Sequence, residues 1–168
     1  MRENRALKAL KGAILLERRG KTLYDHFAES VENESVRGIF ATMAEEEALH
    51  IKILGQHMRE LHKNGRLADT EPLEEPPDIK AEVITKDVVD NISASSNEAA
   101  AISSAIALEE KAVNYYSKME MEADDDDIER ELYRWLANWE RGHLQFLAEI
   151  DRELTDQVWA DNQFWPLY

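Results

Sequence analysis

Residues 43–54 read MAEEEALHIKIL, and residues 136–147 read LANWERGHLQFL. Each stretch sets a glutamate three residues ahead of a histidine: Glu47 and His50, then Glu140 and His143. Positions i and i+3 share one face of an α-helix. That face continues as Val36, Phe40, Met43, Leu54 and Leu61 in the first stretch. In the second it continues as Leu132, Leu136, Leu147, Ile150 and Leu154. Carboxylate and imidazole therefore interrupt the stripe that a helix turns toward a core.

Two more segments carry the same kind of stripe. One runs Ala6, Leu10, Ala13, Glu17, Gly20, Tyr24, Phe27; the other runs Ala99, Ile102, Ile106, Glu109, Ala112 or Val113, Tyr116. Each is again broken at its middle by glutamate. The periodicity predicts helices over about 4–29, from Asn33 or Ser35 to a C-capping Gly65, from Ser95, and from Asp124–Asp127 to about Leu154. Ser95 to Glu98 suits a capping box. The four aspartates 124–127 suit a helix N-terminus, since they lack the spacing of a calcium loop. Short turns join the first pair of helices and the second pair. The connection 66–94 is long, with Pro72, Pro76 and Pro77 followed by an apolar stretch, 83–92, that could form a short helix. These features predict an all-α, antiparallel four-helix bundle over 1–154. Half-repeats of about 4–65 and 95–154 flank the crossover. A tail, 155–168, carries Trp159, Phe164, Trp165, Leu167 and Tyr168, a composition suited to packing within an oligomer such as a homodimer.

Burying a carboxylate costs several kcal/mol unless it is paired or bound to metal. Four glutamates in one core need strong compensation, and the only cationic candidates on the stripes are His50 and His143. Two divalent ions would balance the four charges, and oxygen with imidazole donors suits iron, manganese or zinc. The levels agree. Glu17 precedes Ser30 by 13 residues and Glu47 follows Asn33 by 14. At 1.5 Å per residue both lie about 20 Å from the turn. The second hairpin behaves alike around Glu109 and Glu140.

Chance placement of 23 glutamates and five histidines in 168 residues gives less than one Glu-x-x-His, so a single match carries no weight. Here there are two, 93 residues apart, while Glu17 and Glu109 are 92 apart. Ala13, Ile14, Leu16 and Tyr24 recur as Ala105, Ile106, Leu108 and Tyr116, and Ala44 and Leu54 recur as Ala137 and Leu147. The chain is an internal duplication of a half-site.

With Glu17, Glu47-Ala48-Leu49-His50, Glu109 and Glu140-Arg141-Gly142-His143, the sequence resembles the ferritin-like di-iron carboxylate superfamily. Within it, the chain is most similar to rubrerythrins, over roughly Ala6 to Leu154. The resemblance implies a ferritin-like bundle holding two irons, with manganese or zinc as other occupants. It implies Glu47 and Glu140 as bridges, Glu17 and Glu109 as terminal ligands, and one histidine on each metal. The six ligands would themselves form the reacting centre. Tyr24 and Tyr116, two turns beyond Glu17 and Glu109 on their stripes, either hydrogen-bond ligand carboxylates on neighbouring helices or are core tyrosines with hydroxyls satisfied elsewhere. The implied activity is reduction of peroxide or dioxygen. The alternatives are ferroxidase chemistry on ferrous iron for storage or detoxification, and a non-catalytic metal-binding module. Three departures stand out. There is no cysteine for a rubredoxin-type iron site, so an external redox donor is required. Ala112 stands where rubrerythrin peroxidases have a further glutamate. The connection between half-sites is longer than in ferritins, which argues against a storage shell.

Composition narrows the rest. Twenty Lys and Arg against 35 Asp and Glu give a net charge of −15, which opposes nucleic-acid binding. No long apolar run suggests a membrane span or a signal peptide, and absent cysteine fits a cytoplasmic protein. Gly20 and Ala112 sit one turn beyond a ligand, where a small residue serves either close packing or space for a small oxidant. Glu45, Glu46 and Glu110 lie off the stripe and are expected to be solvated. His26, His57 and His62 fall outside the repeat and are expected at the surface. Trp135 and Trp139 are expected in the core or at an interface.

Overall fold

The computed structural model describes residues 5–69, 88–90, 92–93, 96–123 and 127–162. Four long helices account for most of them: α1 (Arg5–Ser30), α2 (Glu34–Asn64), α3 (Asn97–Glu122) and α4 (Asp127–Asn162). No strand occurs among the described residues. The fold is the all-α, ferritin-like helical bundle that the stripes predict. α1 packs along α2, α3 along α4, and α1 also meets α3. No described helix is long and apolar enough to cross a membrane.

The helix ends follow local chemistry. Asn33 caps α2, its side chain accepting the Val36 N–H at 3.0 Å. Gly65 closes α2 in the left-handed region at φ 72°, and its N–H reaches the Leu61 carbonyl at 3.0 Å. The start of α3 lies one residue later than the capping-box reading, which puts Ala99 at the third helical position and leaves no box. Ser96, not Ser95, is the N-cap of α3, accepting from the Ala99 N–H at 3.2 Å. The Glu98 carboxylate meets its own backbone N–H and the Ser96 hydroxyl, and it also reaches beyond its own helix. Its carboxylate crosses to the α1–α2 turn and accepts from the N–H groups of Glu32 at 3.0 Å and Asn33 at 3.2 Å. Helix α4 runs beyond Leu154 to Asn162, since no glycine or proline interrupts residues 143–165. Trp159 is exposed on that extension. The other large side chains of the tail lie outside the described residues, as do Ser95, Asp124 to Asp126, and most of the proline-rich connection. Val88 and Val89, from its last part, are buried.

The core forms two apolar clusters. One contains Phe40, Met43, Ile102, Phe146, Leu147 and Ile150, with Val88 and Val89 packed in. The other contains Leu10, Leu54, Leu61, Leu132, Leu136 and Met119. Along each helix these clusters lie on opposite sides of the mid-stripe glutamate. Two glycine positions reflect close approach. A Cβ on Gly12 would overlap the Tyr115 hydroxyl, which donates to the Ala9 carbonyl at 2.8 Å and ties α3 to α1. The other, Gly20, belongs to the site.

His57 departs from expectation. It is buried, 1 % exposed, with neither ring nitrogen hydrogen-bonded. Its place 93 residues before buried Ile150 is the signal that marks it as a core position. Burial lowers its pKa and keeps the ring neutral. His26 and His62 are exposed, as expected.

Glu98 supplies a stability test. Although burial works against its charge, the backbone N–H groups hold its carboxyl below the usual range. Its contribution is therefore present above the unfolded carboxyl pKa and lost as pH falls through the folded one. Glu98→Ala should destabilise the protein by about 1–3 kcal/mol at pH 7. In thermal melts the gap from wild type should narrow progressively in acid.

Candidate metal centre

At mid-height the four helices place Glu17 (α1), Glu47 and His50 (α2), Glu109 (α3), and Glu140 and His143 (α4) in one layer. None is more than 3 % exposed. The layer contains two sets of possible ligands. Glu17, Glu47, His50 and Glu140 each bring one donor atom within 4.8 Å of the others, and so do Glu47, Glu109, Glu140 and His143. Glu47 and Glu140 belong to both sets.

The histidines show how the sets join. His50 Nδ1 lies 3.1 Å from Glu17 Oε2, 3.2 Å from Glu140 Oε1 and 3.6 Å from Glu47 Oε2. His143 Nδ1 lies 3.3 Å from Glu140 Oε2 and 3.5 Å from Glu109 Oε1. Glu140 thus turns one oxygen to each histidine. Tyr24 on α1 donates to Glu109 on α3, and Tyr116 on α3 donates to Glu17 on α1. The two hydrogen bonds are exchanged across the bundle, as the 92-residue repeat requires.

Without metal, burial and mutual repulsion raise the proton affinity of several groups in the layer. Burial, then repulsion from Glu17 and Glu140, pushes the Glu47 carboxyl well above its usual range. Burial and the nearby Glu140 charge push Glu109 up to about 8. Burial opposes charging of both imidazoles, but their carboxylate neighbours overcome it and raise both pKa values. Burial opposes the Glu140 charge too, yet His143 and His50 hold its carboxyl below the usual range. Several polar atoms nevertheless lack a hydrogen-bond partner: Glu47 Oε2, both Glu140 oxygens and His143 Nδ1. Buried, unpaired acceptors pointing into a shared space are what a divalent cation needs. The donor set, four carboxylates and two imidazoles, fits two such ions.

Gly20 contributes space to the centre. A Cβ there would lie 3.0 Å from Glu47 Oε1 and 3.1 Å from its carboxyl carbon, so the glycine serves the close approach of Glu47. Its repeat equivalent, Ala112, is buried in an apolar cluster.

Glu46 was expected in solvent and is not there. Its side chain is 14 % exposed and accepts from His143 Nε2 at 2.5 Å. The Trp139 indole N–H reaches the same oxygen at 3.4 Å. Each bundle helix has two neighbours, so a position one residue off the stripe can face the second of them. Glu45 and Glu110 are exposed. Trp139 is buried and Trp135 half-buried; both indoles meet the His50 ring edge-on, at 5.2 and 5.4 Å between centroids.

A family model described as Rubrerythrin matches residues 8–104, more than half of the chain. The chain belongs to the rubrerythrin family. The match covers Glu17, Glu47 and His50 and ends before Glu109, so the second half-site rests on the repeat and on the geometry. No curated protein and no solved structure matches the chain. Membership of the rubrerythrin family implies a di-iron carboxylate protein.

Two outcomes test the centre. Metal competes with protons for Glu47, Glu109 and both imidazoles, all with raised proton affinity, so affinity for Zn2+ should rise with pH through the region near about 8 where Glu109 titrates. Calorimetry in buffers of different ionisation enthalpy should register proton release in the same range. Gly20→Ala should weaken metal binding by displacing Glu47. Stability of the metal-free protein should hold or gain up to about 1 kcal/mol from better helix propensity.

Proposed function

We propose that this rubrerythrin-family protein is a di-iron carboxylate oxidoreductase that reduces peroxide or dioxygen with electrons from a separate redox donor. The observation that carries this reading is Glu140, whose two oxygens face the histidines of both half-sites. Glu17 and His50 would hold one ion, Glu109 and His143 the other, with Glu47 and Glu140 shared. When bound, the ion pair supplies two electrons at neighbouring positions.

The protein residues shape what that pair can do. Apolar clusters on either side keep bulk water out and strengthen every charge interaction in the layer. Tyr24 and Tyr116 fix Glu109 and Glu17 by their hydroxyls, so these carboxylates are held more firmly than Glu47. Glu47 Oε2 and both Glu140 oxygens have no hydrogen-bond partner, so the two shared carboxylates are less constrained than Glu17 and Glu109. The 168 residues contain no cysteine, so the reducing equivalents must come from outside them.

The test uses protein loaded with two ferrous ions under anaerobic conditions. One equivalent of peroxide should oxidise both ions, consuming two electrons and two protons and yielding two waters. A reductant should restore the ferrous state for further turnovers. Failure of both peroxide and dioxygen to oxidise the bound ions would overturn the proposal. Net oxidation of many added ferrous ions, with growth of a mineral-bearing particle, would support ferroxidase storage instead. Glu47→Ala should abolish stoichiometric two-iron binding by metal analysis; retention of two tightly held irons would remove the basis of the assignment.

A further inference from the structure

The internal repeat should yield two equal half-sites, and beside the two histidines it does not. Glu46 and Trp139 are 93 residues apart, the same spacing as Glu47 and Glu140. Where one half carries a carboxylate the other carries an indole, and the two side chains meet each other. Their effects on the histidines differ. His143 turns Nδ1 toward Glu109 and Glu140 and Nε2 toward Glu46. His50 turns Nδ1 toward Glu17, Glu47 and Glu140, but its buried Nε2 has no hydrogen-bond partner. Its ring lies against the indoles of Trp135 and Trp139 instead.

We propose that Glu46 is a positioning residue that makes the two metal half-sites unequal, favouring the one built on His143. The inference rests on the di-metal reading above. A carboxylate accepting from Nε2–H fixes the tautomer that leaves the Nδ1 lone pair facing the metal, holds the ring plane, and increases the basicity of the ligand. His50 receives none of these. An edge-on indole restricts its ring but offers no acceptor. The first divalent ion should therefore enter the half-site of Glu109 and His143, and the second the half-site of Glu17 and His50.

The experiment is calorimetric titration of the metal-free, full-length protein with Zn2+, which needs no redox turnover. Wild type should show two binding events of distinct affinity. Glu46→Ala should weaken the tighter event about 10- to 100-fold. The weaker event should stay within about threefold, small against that selective change. Glu46→Gln, which keeps the shape and one acceptor oxygen but loses the charge, should fall between. His143→Ala should abolish the same event that Glu46→Ala weakens, which assigns it. A merely structural role for Glu46 would lower both affinities together and would depress the melting temperature of the metal-free protein.

Two equal events in wild type, or equal effects of Glu46→Ala on both, would overturn this proposal and leave the di-metal centre standing. Selective weakening of the event that survives in His143→Ala would overturn it too. Absence of any Zn2+ binding by wild type would overturn the di-metal reading itself, and the proposal with it.

Discussion

Four carboxylates buried at one level of a helical bundle dominate this molecule. Nothing in an apolar core can tolerate four unscreened negative charges within a few ångströms of one another. In the metal-free protein, burial and mutual repulsion raise the proton affinity of Glu47 and Glu109, and both imidazoles gain proton affinity from their carboxylate neighbours. Metal ions would compete with protons for these groups. Folding and metal loading then draw on one set of charges, so a side chain that adjusts the charge balance of the layer affects both.

The duplicated hairpin explains why the centre can form from short local patterns. Each hairpin brings two glutamates and a histidine to the same height, and helix geometry alone sets that height. What the hairpins do not supply is lateral register. That comes from contacts between hairpins, among them those of α1 with α3: the exchanged hydrogen bonds of Tyr24 with Glu109 and Tyr116 with Glu17, and the seat of Tyr115 against Gly12. Sliding one hairpin along the other by a turn would break all three.

The fold and the six candidate ligands were legible because each stripe breaks its apolar period at one repeated position. Gly65 was equally plain, since a helix C-terminus with φ above zero favours glycine. Other features depended on neighbours that a single helix does not reveal. Glu98 has the spacing of a capping box but finds better donors across the bundle in Glu32 and Asn33. Glu46 sits about 100° from the stripe, which means solvent on a lone helix and a second interface in a bundle. His57 was hidden by its residue type, although its repeat partner Ile150 marks the position as core. The extent of α4 was underestimated because the stripe ends at Leu154 while the backbone meets no breaker there.

The division of the core has a mechanical consequence. Apolar packing clamps the helices above and below the ligand layer, and close-packed clusters yield little. Between those clamps the helix spacing is set by charge and hydrogen bonds. A change of charge at the centre therefore has to be accommodated within the ligand layer, by its carboxylates and the short helix segments that carry them, rather than by the packed ends.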